Sequence, residues 1–332
     1  MRVTLRDVAA KCGYAVSTVS HVLNNRSSCY ISGLGRERIF RTARELGYHP
    51  DFFARALRNK HSGLIGVASA LFSYQPHIAL LQSIRSCLRK RGYIAFFTDI
   101  GFHAADVAEP LEELARMNVE GVLLLSDVPC PEAVEEMAAR LPMVAVSPFA
   151  ARTIPTLLLD QRAAVERLVE RLAASGRDRM IFLTWNRRGD VPKLAGFEAA
   201  TSRLALSAQI HEIAEEDAAV LRFVRDHETL FDGSAAVLTG HDRLAAELLR
   251  ALQETGLSAP RDCAVAGFAD TEIARLVTPQ LTSVRPPREE VGTQAVEMLL
   301  DRVAGRSVEG RVLVPEVVER ESTAVALDLV SR

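Results

Sequence analysis

Apolar residues recur at helical spacing in the first 60 residues, and the pattern divides this stretch into three short helices. Thr4 can cap the first helix, with Asp7 three residues later completing a capping-box pattern, and Gly13 can end it. The second helix is predicted from about 16 to 24 and the third from about 36 to 46. This spacing is typical of a helix-turn-helix unit, although an ordinary small helical bundle has similar spacing.

A further short basic segment follows this unit. Tyr48, His49 and Pro50 break the chain, and FFARALR at 52–58 has the composition of one short helix. A helix of this length is unstable alone in water. We expect it to fold only against DNA, with Leu57 as an apolar wedge in the minor groove.

From residue 64 onward, strand-length apolar runs alternate with amphipathic helical stretches. This alternation predicts parallel α/β sheets covered by helices on both faces, and the length suggests two such lobes. The predicted strands are 64–70, 94–98, 122–125, 144–146, 156–159, 180–184, 235–239 and 263–268.

Composition places the chain among folded globular proteins, since 48% of its 332 residues are hydrophobic and 25% are charged. No apolar stretch is long enough to span a bilayer, and the charged start MRVTLRD is unlike a signal peptide. The five cysteines are dispersed, which fits free thiols in a reducing cytosol and indicates neither a zinc site nor a disulfide framework. We therefore expect a cytoplasmic protein without a metal or another cofactor.

Charge is distributed unevenly between the two parts of the chain. Residues 1–60 hold eleven Lys and Arg against four Asp and Glu, a net charge of +7; since the whole chain carries −2, the rest carries −9. A basic head on an acidic body fits a phosphate-binding module joined to a sensor, although a basic surface without a partner has the same charge.

Several stretches resemble the LacI/GalR family of bacterial regulators. In the head these are TLRDVAAKCGYAVSTVSHVLNN and RERIFRTARELGYHPDFFARALRNK, and in the body they include KLAGF, GLSAPRDCAVAGFAD, TPQLTSVRPPREEVGTQAVEMLL and VERESTA. The resemblance implies a lambda-repressor-like helix-turn-helix head over 1–60 and a periplasmic-binding-protein-like core over 61–332. It also implies that the core has one lobe at about 61–157 and 285–320 and another at about 158–284 and 321–332.

The resemblance assigns roles to residues of the head. Val16, Ser17 and His21 fall at base-reading positions, and a serine or histidine can hydrogen-bond base edges. The positions implied to contact the DNA backbone or the minor groove are Thr4, Thr18, Ser20, Asn24, Ala54 and Leu57.

The head also departs from the family pattern in three places. Ala15 stands where a capping serine is usual, which removes about 1 kcal/mol of helix stabilisation. About two residues are inserted within 25–30, and Gly33 and Gly35 should fray the start of the third helix. These departures leave the half-site preference open.

In the core, the resemblance implies a small-molecule effector, such as a sugar or a related metabolite, in a cleft between the lobes. The implied contacts are Tyr74, Ser147, Lys193, Asp242 and Asp270, with Gln75 and His77 as possible additions. Ser147 and Ala269 stand where acids are common, so the pocket lacks two acceptors for sugar hydroxyls. We expect either a ligand with fewer hydroxyls than a free sugar or the loss of tight effector binding.

The resulting interpretation is a repressor that binds a pseudo-palindromic operator as a homodimer, because the last residues lack heptads for a coiled-coil tetramer. An activator or an effector-independent regulator remains an alternative. A solute-binding protein fits the core but not the basic head. An enzyme is not expected, since no GxSxG, P-loop or HExxH motif is present and Gly240-His241-Asp242 reads better as a loop. Trp185, the sole tryptophan, fits either a place in the cleft or a packing role.

Overall fold

The computed structural model describes residues 3–23, 31–48, 61–69, 75–100, 107–125, 132–216 and 218–324. The chain divides into two compact units, residues 1–63 and 64–332. None of the described helices is long and apolar enough to cross a membrane.

The described residues of the first unit form three helices: α1 (Leu5–Cys12), α2 (Val16–Leu23) and α3 (Gly33–Glu45). The predicted start of α1 is confirmed, because the backbone N–H and the hydroxyl of Thr4 both donate to Asp7 Oδ2 at 2.7 Å. Its predicted end is confirmed as well: Gly13 has a φ of +74°, a left-handed conformation that glycine adopts without strain. The three helices enclose one small core formed by Val8, Ala9, Cys12, Val19, Val22, Ile39 and Ala43.

The prediction for the start of α3 was wrong. The helix begins at Gly33, three residues before the predicted position, because Ser32 accepts a hydrogen bond from the Gly35 N–H at 3.2 Å and caps it. Gly35 is buried, and a methyl group added there would lie 2.6 Å from Tyr14 Oη and 2.9 Å from Ile31 Cγ1. This glycine therefore allows close packing of the helix start rather than fraying it.

The described residues of the second unit form two six-stranded sheets. The first has strand order β11-β5-β4-β3-β1-β2, and all of its neighbours are parallel. Its strands are β1 (Leu64–Ser69), β2 (Ile94–Asp99), β3 (Gly121–Leu125), β4 (Met143–Ser147), β5 (Thr156–Leu159) and β11 (Arg311–Leu313). Its helices are α4 (Gln75–Lys90), α5 (Ala108–Arg116), α6 (Glu132–Ala138) and α12 (Arg288–Val303).

The second sheet has strand order β12-β10-β9-β8-β6-β7, parallel except that β12 is antiparallel to β10. Its strands are β6 (Arg179–Thr184), β7 (Ser207–Glu212), β8 (Ala235–Thr239), β9 (Cys263–Phe268), β10 (Thr282–Arg285) and β12 (Glu316–Val318). Its helices are α7 (Gln161–Ala174), α8 (Val191–Arg203), α9 (Ala219–Asp226), α10 (Asp242–Glu254) and α11 (Ile273–Leu276), with 3-10 turns at Glu228–Leu230 and Glu321–Thr323.

Helices cover both faces of the second sheet, which explains its continuous apolar strands. Side chains of α9 and α10 form one core with the sheet, and those of α7 and α8 form another on the opposite face. Strands β8 and β9 are buried at every position. The predicted class, two α/β lobes with parallel sheets, is confirmed.

Strand pairing places the passages between lobes at slightly different residues from those that the resemblance implied. All of β5 pairs within the first sheet, so 158 and 159 belong to that lobe. Strand β12 pairs with β10 of the second sheet, so 316–318 belong there rather than to the first lobe. These segments are too short and too similar in composition for sequence alone to assign them to a sheet.

Candidate functional sites

Helix α2 presents a polar face on the side opposite the head core. Val19 and Val22 are buried, whereas Ser17 is exposed and His21 half-buried. Ser17 and His21 are four residues apart and therefore neighbours on one face. Val16, at the helix start, is 43% exposed. The three predicted base-reading side chains thus share an accessible surface.

The predicted backbone-contacting residues differ in accessibility. Thr4 is exposed and Thr18 half-buried, but Ser20 is only 6% exposed and lies towards the core. A direct phosphate contact by the Ser20 hydroxyl would require this burial to change. Asn24, Ala54 and Leu57 lie outside the described residues, so their roles remain predictions.

The head surface also supplies cations for phosphate binding. Its exposed side chains include Arg6, Lys11, Arg38, Arg41 and Arg44. Glu45 lies 3.6 Å from Lys11 and 4.0 Å from Arg41, but exposed pairs of this kind contribute only about 0–1 kcal/mol. These cations therefore remain available to an anionic partner.

In the core, a buried ion pair lies where β6 and β8 end. Lys193 Nζ donates to Asp190 Oδ1 at 2.6 Å and to the Gly240 carbonyl at 2.9 Å, and it lies 4.5 Å from the centre of the Phe268 ring. The Thr184 hydroxyl donates to the other oxygen of Asp190 at 2.6 Å. Burial favours a raised pKa for Asp190, but the charges of Lys193 and His241, together with the hydrogen bonds from Lys193 and Thr184, lower that pKa.

Lys193 is therefore part of the scaffold beneath this edge. It is 5% exposed, and two of its protons are bonded within the chain. The direct ligand contact implied for it would require this buried side chain to become accessible. Sequence reasoning missed Asp190 as its partner, although the three-residue spacing on one helix turn could have suggested the pair.

Asp242 is also bonded on both carboxylate oxygens. Its Oδ1 accepts from Ser283 Oγ at 2.5 Å, and its Oδ2 accepts from the N–H and the hydroxyl of Thr271 at 2.6 and 2.9 Å. Burial raises the pKa of Asp242 to about 6, although these three hydrogen bonds oppose the shift. The residue is 2% exposed and links α10 to β10 and to the loop after β9.

Asp270 forms a double ion pair where the chain leaves the second lobe. Arg285 Nε donates to its Oδ2 at 2.6 Å and Arg320 Nη2 to its Oδ1 at 2.7 Å. The loop here is strained, because Ala269 and Asp270 have φ values of +102° and +44°. Arg288, the first residue of α12 in the other lobe, donates to the Ala269 carbonyl. Both carboxylate oxygens of Asp270 are therefore occupied by arginines of the second lobe, and the Ala269 carbonyl links this loop to the first lobe.

The remaining predicted cleft residues differ in their burial and in their hydrogen bonds. Ser147 is 5% exposed, and its hydroxyl accepts from the Phe149 N–H at 3.0 Å. Tyr74 lies outside the described residues. His77 lies on α4 and is half-buried, and Gln75 begins that helix.

Trp185 follows β6 and is partly buried. Its ring centre lies 6.0 Å from that of His241 in a stacked arrangement and 5.0 Å from the Arg243 guanidinium. Thus the structure brings together Trp185, His241 and Arg243 at the edge where β6 and β8 end. Across the described part of the chain, no three His, Cys, Asp or Glu residues are grouped as a metal site.

Comparisons with known proteins match both units. The model of bacterial regulatory proteins of the lacI family matches residues 4–51, and that of the periplasmic binding protein-like domain matches residues 169–323. The ribose operon repressor of Haemophilus influenzae is 28% identical over 327 residues, with 96% of this chain and 98% of that protein covered.

Further similarities extend over nearly the full length. Catabolite control protein A of Priestia megaterium is 26% identical, with 97% of this chain and 100% of that protein covered. A crystal structure of the lac repressor dimer bound to operator and the anti-inducer ONPF has a TM-score of 0.86 at 24% identity, with 98% of this chain and 100% of that chain covered. The family models therefore show a DNA-binding head of the lacI family of bacterial regulatory proteins joined to a periplasmic-binding-protein-like core, and the structural similarity shows the same fold.

Proposed function

We propose that this protein is a sequence-specific repressor that binds a pseudo-palindromic operator as a homodimer in the cytoplasm. The observation that supports this most directly is the accessible α2 face formed by Val16, Ser17 and His21 in a basic head. Serine and histidine can hydrogen-bond base edges, and valine can pack on a thymine methyl. The named relatives include an operon repressor, which favours repression over activation.

The operator can be found by selection from a randomised pool of duplex DNA. We expect a pseudo-palindrome whose half-sites lie about one helical turn apart. His21→Ala should relax specificity at particular positions, and Leu57→Ala should weaken binding through the centre of the site. Leu204→Ala changes a leucine that is 38% exposed on the core and serves as the matched control. Sequence-blind binding that disappears with salt would contradict the proposal.

Exposed apolar residues on the first lobe support the homodimer. Ile94 and Phe96, on edge strand β2, are 53% and 38% exposed, and Ile78 on the adjacent helix α4 is 42% exposed. Apolar groups on an edge strand favour association with another chain. Sedimentation equilibrium of the full chain measures the resulting oligomeric state.

We further propose that a small effector binds at the carboxyl ends of the strands in the core, where ligands of open α/β sheets bind. Solved structures of similar fold include the transcriptional regulator CelR in complex with cellobiose and a LacI family regulator of Enterococcus faecium with bound ribose, which makes a carbohydrate-related effector the first candidate to test. An effector that binds one lobe arrangement better than another would change operator affinity by linkage. Operator titrations with and without candidate metabolites test this coupling, and promoter position separates repression from activation.

A further inference from the structure

The carboxyl edge of the second lobe offers few acceptors to a neutral sugar. Sugar hydroxyls are commonly held by accessible carboxylates, but Asp190, Asp242 and Asp270 are each bonded on both oxygens within the chain. These three side chains are also nearly inaccessible, at 2%, 2% (whole residue) and 6% exposure. A polyol could therefore bind these carboxylates only if their side chains first became accessible.

The same edge offers free hydrogen-bond donors. Arg187 and Arg188 lie in the loop between β6 and α8, both are exposed, and neither guanidinium has a partner among the described residues. A guanidinium presents a planar fork of N–H groups that matches the oxygens of phosphate and carboxylate. The unused groups at this edge are therefore suited to an anion.

Internal hydrogen bonds fix the loop that presents these arginines. Thr184 Oγ1 accepts from the Asn186 N–H at 3.0 Å, and Asn186 Oδ1 accepts from the N–H groups of Arg188 and Gly189 at 3.0 and 3.3 Å. The Thr184 hydroxyl in turn donates to buried Asp190. Because the backbone is held in this way, little ordering of the loop is needed when a ligand binds.

The surroundings of the two arginines supply a fluorescent reporter and one further cation. His241 and Arg243 lie beside Trp185, whereas the Lys193 ammonium beneath the edge is paired with Asp190. The Arg243 guanidinium forms ion pairs with Glu215 and Glu247 at 3.3 and 3.1 Å, so it attracts an anion less strongly than Arg187 and Arg188 do. Since Trp185 is the only tryptophan in the chain, its fluorescence reports on this edge alone.

We propose that the effector of this core is an anion, a small metabolite with a phosphate or carboxylate group held by Arg187 and Arg188, rather than a neutral sugar. This inference rests on the proposed effector site and specifies its ligand class. The anionic group would accept from the two guanidinium forks at the carboxyl edge of β6. The rest of the ligand would extend from this edge into the cleft.

Fluorescence titration of Trp185 in the full-length protein tests the ligand class. The probes are ribose, ribonate and ribose 5-phosphate, which share one carbon skeleton and differ in charge, together with inorganic phosphate. We expect a saturable response to at least one anionic probe, with roughly tenfold or tighter binding than ribose, because charged hydrogen bonds are the strong ones. Comparison of ribonate with ribose 5-phosphate distinguishes carboxylate from phosphate as the anchoring group.

Variants identify the groups that hold the anion. Arg187→Gln combined with Arg188→Gln should weaken binding of the anionic probe roughly tenfold or more and leave the response to ribose unchanged. Arg225→Gln is the matched control, since exposed Arg225 lies on α9, which leads to the amino end of β8. Circular dichroism verifies that each variant is folded.

Two results of the titrations with the unchanged protein would overturn the proposal: ribose binding as tightly as the anions, or the absence of a saturable response to all three anionic probes. Retention of anion binding by the double variant would also overturn it, because the arginines would then not be the site. The selection of operator DNA is independent of these titrations. Failure of the anion proposal would therefore leave the DNA-binding function standing.

Discussion

The buried pair between Asp190 and Lys193 gives the sharpest test of how this core is stabilised. Replacement by Asp190→Ala leaves the Lys193 ammonium, which is 6% exposed, without its carboxylate partner. It also removes the acceptor of the Thr184 hydroxyl. We expect the second lobe to be strongly destabilised.

The expected loss of stability follows from the difference between removing one member of a buried ion pair and replacing both members. Removing one member of a buried ion pair costs about 3–5 kcal/mol, because the other charge stays buried and unpaired. Replacing both members with apolar residues of similar size is often neutral or stabilising. The double change Asp190→Leu and Lys193→Met should therefore recover most of the stability lost by Asp190→Ala.

Urea unfolding followed by Trp185 fluorescence measures the effect, because that residue lies in the second lobe. Asp226→Ala, at an exposed position at the end of α9, is the matched control and should change the free energy of unfolding by less than about 0.5 kcal/mol. A cost below about 1 kcal/mol for Asp190→Ala would refute the reasoning. A double variant no more stable than the single one would refute it as well.

Three further predictions concern other parts of the molecule. Because the pKa of Asp242 is raised to about 6, the folded state binds the Asp242 proton more tightly than the unfolded state does. The free energy of unfolding should therefore fall by up to about 3 kcal/mol as the pH rises from about 4 to 6. Asp242→Asn should flatten this pH dependence when urea unfolding is measured at several pH values, and an unchanged pH dependence would contradict the prediction. Gly35→Ala should destabilise the head by about 1–3 kcal/mol through overpacking. Gly33 has open space around it, so Gly33→Ala should be neutral or slightly stabilising. Hydrogen exchange of head peptides measures the stability of the head in each variant. Ile94→Lys on edge strand β2 should dissociate the dimer in sedimentation equilibrium. Val312→Lys should not, although Val312 is 58% exposed on β11, the opposite edge strand. Equal effects of the two substitutions would argue against β2 as the interface.

The local pattern of residues determined the fold class. The capping box of Thr4 and Asp7 and the left-handed Gly13 depend on neighbours within one helix, so they were predictable without tertiary structure. The eight predicted strands were recognisable as strand-length apolar runs, which in β3 and β4 reflect burial at every position. Four strands were missed. Strand β7 is an edge strand with mostly polar or half-buried residues, and β10, β11 and β12 are only three or four residues long.

The tertiary structure decided the state of the charged groups. The partner of Lys193, Asp190, is three residues away and could have been suggested by local spacing. Asp242 and Asp270, in contrast, are bonded by Ser283 and Arg320 from distant parts of the chain. No local pattern predicts these partners, because they depend on which strand ends lie side by side. Sequence alone therefore determined that the chain has a DNA-binding head and a two-lobed core. Burial and long-range hydrogen bonds, which only the tertiary structure shows, determined which side chains at the carboxyl edge of the second lobe remain free to bind a ligand.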